Sequence, residues 1–134
     1  DGFASMDAGP TRGQLTTRPI RFSGRQLFVN ANCSNGEMQV EVLDKSGNAL
    51  TGFSRDDSTS AREDRTLMPI TWSKKQLASL TGRTVRFRFH LRNARLFAFW
   101  VSPDESGASH GYIAGGGPGY TSHKDTVGRA AFKP

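Results

Sequence analysis

Between Arg86 and Trp100 the sequence reads RFRFHLRNARLFAFW, and side chains able to hold a ligand recur there at every second position. Arg86, Arg88, His90 and Arg92 alternate with Phe87, Phe89 and Leu91. A period of two belongs to an extended strand, whose successive side chains point to opposite faces. Asn93-Ala94 is the natural two-residue turn, because Asn tolerates a positive φ. A hairpin about it pairs Arg92 with Arg95, His90 with Phe97, Arg88 with Phe99 and Phe87 with Trp100. Paired residues share a face. One face then carries Phe87, Phe89, Leu91, Leu96, Ala98 and Trp100 and reads as core. The other carries Arg86, Arg88, His90, Arg92, Arg95, Phe97, Phe99 and Val101, too apolar for plain solvent and too charged for a core. Arg and His donate to hydroxyls, and Arg pairs with carboxylate or sulfate. Phe rings offer flat surfaces on which the C–H patches of sugars stack. Arg86, Arg88, His90, Arg92, Arg95, Phe97 and Phe99 are therefore the candidate ligand-binding set. The competing reading has Phe97 and Phe99 covered by the C-terminal tail or a partner domain, with the Arg stems lying over them.

Composition narrows the partners. The net charge is +6 and the pI about 10.1, which favours a polyanion: nucleic acid, acidic polysaccharide or a membrane surface. The basic residues are spread along the chain, so a merely solvated basic surface explains the count as well. No apolar run approaches the ~18–20 residues that span a bilayer, and no signal-peptide pattern is present. Nucleic-acid binding on a basic aromatic sheet is a weaker expectation, since no RNP-like motif accompanies it. The single cysteine, Cys33, excludes an intrachain disulfide and a Cys-based zinc site. At a strand position it reads as a small buried residue.

Other chemistry finds little support. GGGPGY, residues 115–120, lacks the Lys-Ser/Thr of a phosphate loop. His90, His110 and His123 show no metal-ligand spacing. Ser109-His110 is a dipeptide and not a triad. The acidic pairs Asp56-Asp57, Glu63-Asp64 and Asp104-Glu105 sit in loops, whereas a glycosidase needs two carboxylates across a bond. The expectation is a non-enzyme without a required cofactor. Loop carboxylates and carbonyls could hold a structural Ca²⁺, but no spacing fixes such a site and the metal content stays open.

The surrounding elements are short strands. A first strand is expected within residues 1–9 and a second within 13–24, with Pro19 marking an edge or a bulge. Residues 25–33 place Leu27, Val29, Ala31 and Cys33 on one face. EMQVEVLD, residues 37–44, alternates Met38, Val40 and Val42 inward with Gln39 and Glu41 outward. Residues 54–64 read as a polar surface loop and 66–72 as a strand containing a proline. SKKQLASLTG, residues 73–82, carries the only helical signal, with Ser73 as its cap. Both tryptophans read as core, Trp72 being the more open. The sum is an all-β protein, a β-sandwich of the jelly-roll type with one short helix. Residues 1–103 form the sandwich core. Residues 104–134 form a Gly-rich C-terminal segment that packs on the same domain or is partly disordered.

The segments DGFASMDAG, LTTRPIRFSGRQLFVNANC, VRFRFHLRNARLFAFWVSPDESGASHGYIAGGGPGY and DTVG carry a resemblance. Together they resemble the C-terminal β-sandwich module that follows a five-bladed propeller in bacterial proteins similar to glycoside hydrolase family 32. The resemblance implies a non-catalytic, carbohydrate-binding-module-like domain of a carbohydrate-active enzyme, with any catalytic carboxylates in an upstream domain of the same chain. It implies a secreted protein, extracellular or periplasmic, and carries over no ligand residues. The expected partner is a polysaccharide, acidic if the positive charge is used. The alternative is a sandwich that only buttresses the propeller. The chain starts at Asp1 without a Met, which reads as a piece of a longer protein, with any export signal expected upstream.

Overall fold

The alternation in residues 26–44 sets the frame. A computed structural model describes residues 4–110 and 124–132, and the strands in it are β1 (Met6–Ala8), β2 (Gly13–Thr16), β3 (Ile20–Arg21), β4 (Gln26–Asn32), β5 (Glu37–Asp44), β6 (Asp64–Ile70), β7 (Thr84–Arg92) and β8 (Ala94–Ser102). One sheet has the order β1-β8-β4-β6. In the second, β7 pairs β5 along its whole length, and β2 and β3 pair successive parts of β7. Every ladder is antiparallel. The pairing is nested: β1 with β8, β2 and β3 with β7, β4 with β6. The free edge of β5 is closed by the 49–61 segment, through Met38 with Ala61 and Val42 with Phe53. A chain doubled back on itself and shared between two sheets in this way is a jelly roll.

Leu27, Val29, Ala31 and Cys33 from the first sheet meet Met38, Val40, Val42, Val85, Phe87 and Phe89 from the second, and all are inaccessible to solvent. Burying each of the larger aliphatic or aromatic side chains contributes about 1.5–3 kcal/mol. Pro19 does mark an edge. It separates β2 from β3 on the outer side of β7, and Thr17 bridges the break by donating its N–H to Phe87 O and accepting the Phe87 N–H on its hydroxyl. The helical signal in 73–82 reduces to a 3-10 turn, Leu77–Leu80, whose N-cap is Gln76 and not Ser73. The 54–64 stretch does more than a surface loop. Its Ser58 and Ala61 are buried, and it holds the 3-10 turn Arg55–Asp57.

The expected hairpin between residues 86 and 101 does not form. β7 lies in one sheet and β8 in the other, joined through Asn93 alone at φ 46°. A type I′ turn needs a positive φ at both central residues, and Ala94 does not adopt one. Both edges of β7 are already taken by β5 and by β2 with β3, so β8 has no edge there to join. It pairs instead with β4 and β1.

A bulge in β8 then changes its facing. Leu96 pairs Ala31 while Ala98 pairs Asn30, which leaves Phe97 as the extra residue. Leu96 and Phe99, three apart, therefore both face the core. Trp100 turns to the outer side and stacks on Phe28 at 6.2 Å. Trp72, not Trp100, is the deeper tryptophan. It is 7% exposed, donates to Val40 O and packs edge-on against Phe53.

The chain beyond β8 covers the outer side of the first sheet. Trp100 Nε1 donates to Gly107 O at 2.9 Å, and the Arg129 guanidinium lies 5.7 Å from the centre of the buried Phe28 ring. Asp125 ties this cover together by accepting the Ser109, Val127 and Gly128 N–H groups. Burial works to raise its carboxyl, and these N–H bonds outweigh it and hold the group below the usual aspartate range. Gly128 sits at φ 56°, and a Cβ there would lie 2.1 Å from Ser106 O. The GGGPGY stretch, residues 115–120, and His123 lie outside the described residues.

Candidate functional site

With one outer face covered by the chain itself, the outer face of the second sheet is where the basic residues gather. The period of two sends Arg86, Arg88, His90 and Arg92 of β7 to this side, opposite Phe87, Phe89 and Leu91. The β5 register sets Glu37 beside Arg92, Gln39 beside His90 and Glu41 beside Arg88. On the other flank β2 sets Gln14 beside His90 and Thr16 beside Arg88. Each outward residue of β7 from 88 to 92 thus has a polar or acidic cross-strand neighbour. Such pairs contribute roughly 0.2–1 kcal/mol each.

At the centre, Glu41 Oε1 is shared. Arg88 Nη1 donates to it at 3.3 Å and His90 Nε2 lies 2.9 Å away. Arg88 Nε also donates to Thr16 Oγ1, so this one side chain links β2, β7 and β5. His90 is only 6% exposed, and its Nδ1 is buried without a hydrogen-bond partner among the described residues.

One step along the sheet, Glu37 collects three guanidiniums. Arg12 Nη2 and Arg62 Nη2 each lie 3.2 Å from a carboxylate oxygen, Arg92 Nη2 lies at 3.7 Å, and the Ser60 hydroxyl donates at 2.9 Å. Ser60, then the charges of Arg62, Arg92 and Arg12, hold the Glu37 carboxyl below the usual glutamate range against the opposing effect of burial. The geometry concentrates cations. Arg12, Arg62, Arg86, Arg88 and Arg92 stand against two carboxylates. A guanidinium has five N–H donors, and one or two contacts leave the others free. Arg62 and Arg92 keep 68% and 43% of their side-chain surface exposed.

The candidate residues do not form one face. Arg86, Arg88, His90 and Arg92 share the outer side of the second sheet, where Arg86 Nε also donates to Lys45 O. Arg95 belongs to β8 in the other sheet and lies 3.7 Å from Asp7. Phe97 is the half-buried bulge residue of that sheet. Phe99 points between the sheets, 5.0 Å from the Phe89 ring and 6.0 Å from Phe87. The register that set Arg88 beside Phe99 is therefore replaced by Arg88 beside Glu41 and Thr16. Arg12, Glu37, Glu41, Ser60 and Arg62 were not singled out from the sequence. The usable signal was the matched spacing of Glu37, Gln39 and Glu41 with Arg88, His90 and Arg92.

Among the described residues no three His, Cys, Asp or Glu side chains converge so as to hold a metal ion. Asp57 is engaged by Ser54 and Lys74, and Asp104 by Ser106. No helix of the described residues is long and apolar enough to cross a membrane. Comparison with protein-family models, with curated proteins and with solved structures finds no match for this chain.

Proposed function

We propose that this jelly roll is a non-catalytic binding module for an acidic polysaccharide, held on the outer face of the second sheet. The observation that carries the reading is the cluster of Arg12, Arg62 and Arg92 around Glu37, continued by Arg88 and Arg86 along β7. The carboxylates fix the guanidiniums in place, and the remaining N–H donors suit carboxylate or sulfate groups along a chain. Preorganised cations lose less entropy on binding than free ones. Stacking on Phe97 and Phe99 is not part of this proposal, because Phe99 packs in the core and Phe97 sits on the other sheet. Recognition is by charge and hydrogen bonds. The resemblance to modules that follow a propeller in carbohydrate-active enzymes supplies the secreted setting and an upstream catalytic domain, as parts of the same proposal.

A module that only braced a neighbouring domain would present an exposed apolar face. Met6, 55% exposed, is the one exposed large hydrophobic side chain among the described residues. The test is retention on immobilised anionic and neutral polysaccharides by the chain and by an Arg62→Ala/Arg92→Ala variant. The proposal expects retention by an anionic glycan, weakened about tenfold or more in the variant as charge-assisted bonds are lost. Equal retention of both proteins, or retention by neutral glycans alone, refutes it.

A further inference from the structure

A second polar recess lies away from this face, where β4 begins and where β6 and β8 end. It is a cleft of about 540 Å³, within the range of roughly 300–1,000 Å³ typical of small-molecule sites. Ile70, Trp72 and Leu77 form its base, each nearly buried. Arg25 and Lys75 stand on its rim, and neither charged group has an ion-pair partner among the described residues. The Lys75 stem is steadied against Gly52, where an added Cβ would lie 2.8 Å from its Cγ and Cδ. Asp104 and Glu105 line another part of the rim, and the Ser106 N–H fixes Asp104 at 2.9 Å.

These groups define a ligand by what each can do. A simple anion would use the two cations and be repelled by the carboxylates. An apolar ligand would strand all four charges. A sugar carrying a carboxylate or sulfate uses both sets: its anionic group takes Arg25 and Lys75, and its hydroxyls donate to Asp104 and Glu105, which only accept. We infer that this cleft binds a single anionic sugar unit, such as the end of an acidic oligosaccharide. The choice of a sugar rests on the proposed function. The cleft is separate from the sheet face and is tested separately.

The experiment is an amide NMR titration of the whole chain with glucuronate, glucose and sodium sulfate, repeated on Arg25→Ala and on Arg62→Ala/Arg92→Ala. Arg25 is exposed, and its backbone N–H to Ser102 O survives the substitution, so the first variant is expected to fold, as circular dichroism would check. Glucuronate should shift the amides of residues 25–26, 71–78 and 104–105. Arg25→Ala should weaken it about tenfold, as expected for loss of a charge-assisted pair, and the double variant should leave these shifts unchanged. Glucose and sulfate should each bind at least several-fold more weakly. Shifts confined to β5 and β7, an unaltered affinity in Arg25→Ala, or equal binding of glucose or sulfate would each overturn the inference. Loss of polysaccharide retention with this cleft still responding would count against the sheet face alone.

Discussion

Phe99→Ala separates the two ways in which the Arg86–Trp100 stretch can be read. On a hairpin, Phe99 lies beside Arg88 on a ligand face, and its loss costs affinity while the fold is spared. In the jelly roll it packs between the sheets on Phe87 and Phe89. A fully buried Phe→Ala change costs about 3–5 kcal/mol. Phe99 is half-buried, which lowers this to about 2–3 kcal/mol with its aromatic contacts included. That is a large share of the roughly 5–15 kcal/mol that holds a domain. For a chain of this size it corresponds to a fall in Tm of roughly 6–15 °C. Thermal and urea unfolding followed by circular dichroism reads the change. Affinity for an anionic glycan, measured well below the new Tm, should be unchanged. A variant that melts within about 1 °C of the parent yet has lost binding would refute the placement of Phe99 and the sheet assignment behind it.

Further outcomes follow from the same contacts. Glu37 titrates below its ordinary value in the folded protein, so its stabilisation is present above the usual glutamate range, near pH 4.3, and is lost as pH falls through the folded value. Glu37→Gln should remove that contribution at neutral pH and make the acid limb of stability shallower; an unaltered acid limb would contradict this. Gly128→Ala sets a Cβ against Ser106 O at a positive φ, and should cost about 1–3 kcal/mol. It should also expose the C-terminal segment to limited proteolysis before the sandwich is cut, and cleavage rates equal to the parent's would count against the cover. Cys33 is inaccessible, and burial, then the nearby Asp64 charge, push its thiol up to about 11. It should react with a thiol reagent only as the protein unfolds, and rapid labelling of the native protein would refute that burial.

The sandwich was legible because its central strands alternate cleanly. Leu27, Val29, Ala31 and Cys33 on β4, and Met38, Val40 and Val42 on β5, all face the core as their period requires. The site was half legible. Alternation on β7 placed Arg86, Arg88, His90 and Arg92 on one side, and that holds whichever strands flank it. What failed was the partner. Asn93-Ala94 has the residue type of a tight turn, yet whether two successive strands pair or pass to opposite sheets depends on which edges are already filled, and no local signal records that. The bulge at Phe97 hid the facing of Phe99 in the same way, since one extra residue inverts every later position. Arg12 and Arg62 reach Glu37 from segments 25 residues away in sequence on either side, a distance over which spacing gives no guide.

In the proposed function, preorganised arginines on the second sheet hold an acidic polysaccharide. The most direct measurement is the affinity of the chain for an anionic polysaccharide across a salt series, beside Arg62→Ala/Arg92→Ala, a neutral polysaccharide and a DNA duplex. Binding to the anionic glycan should fall steadily with salt and be at least about tenfold weaker in the variant, with little affinity for the neutral chain. Binding that is indifferent to salt and to both substitutions, or that favours DNA over every glycan, would contradict the proposed function.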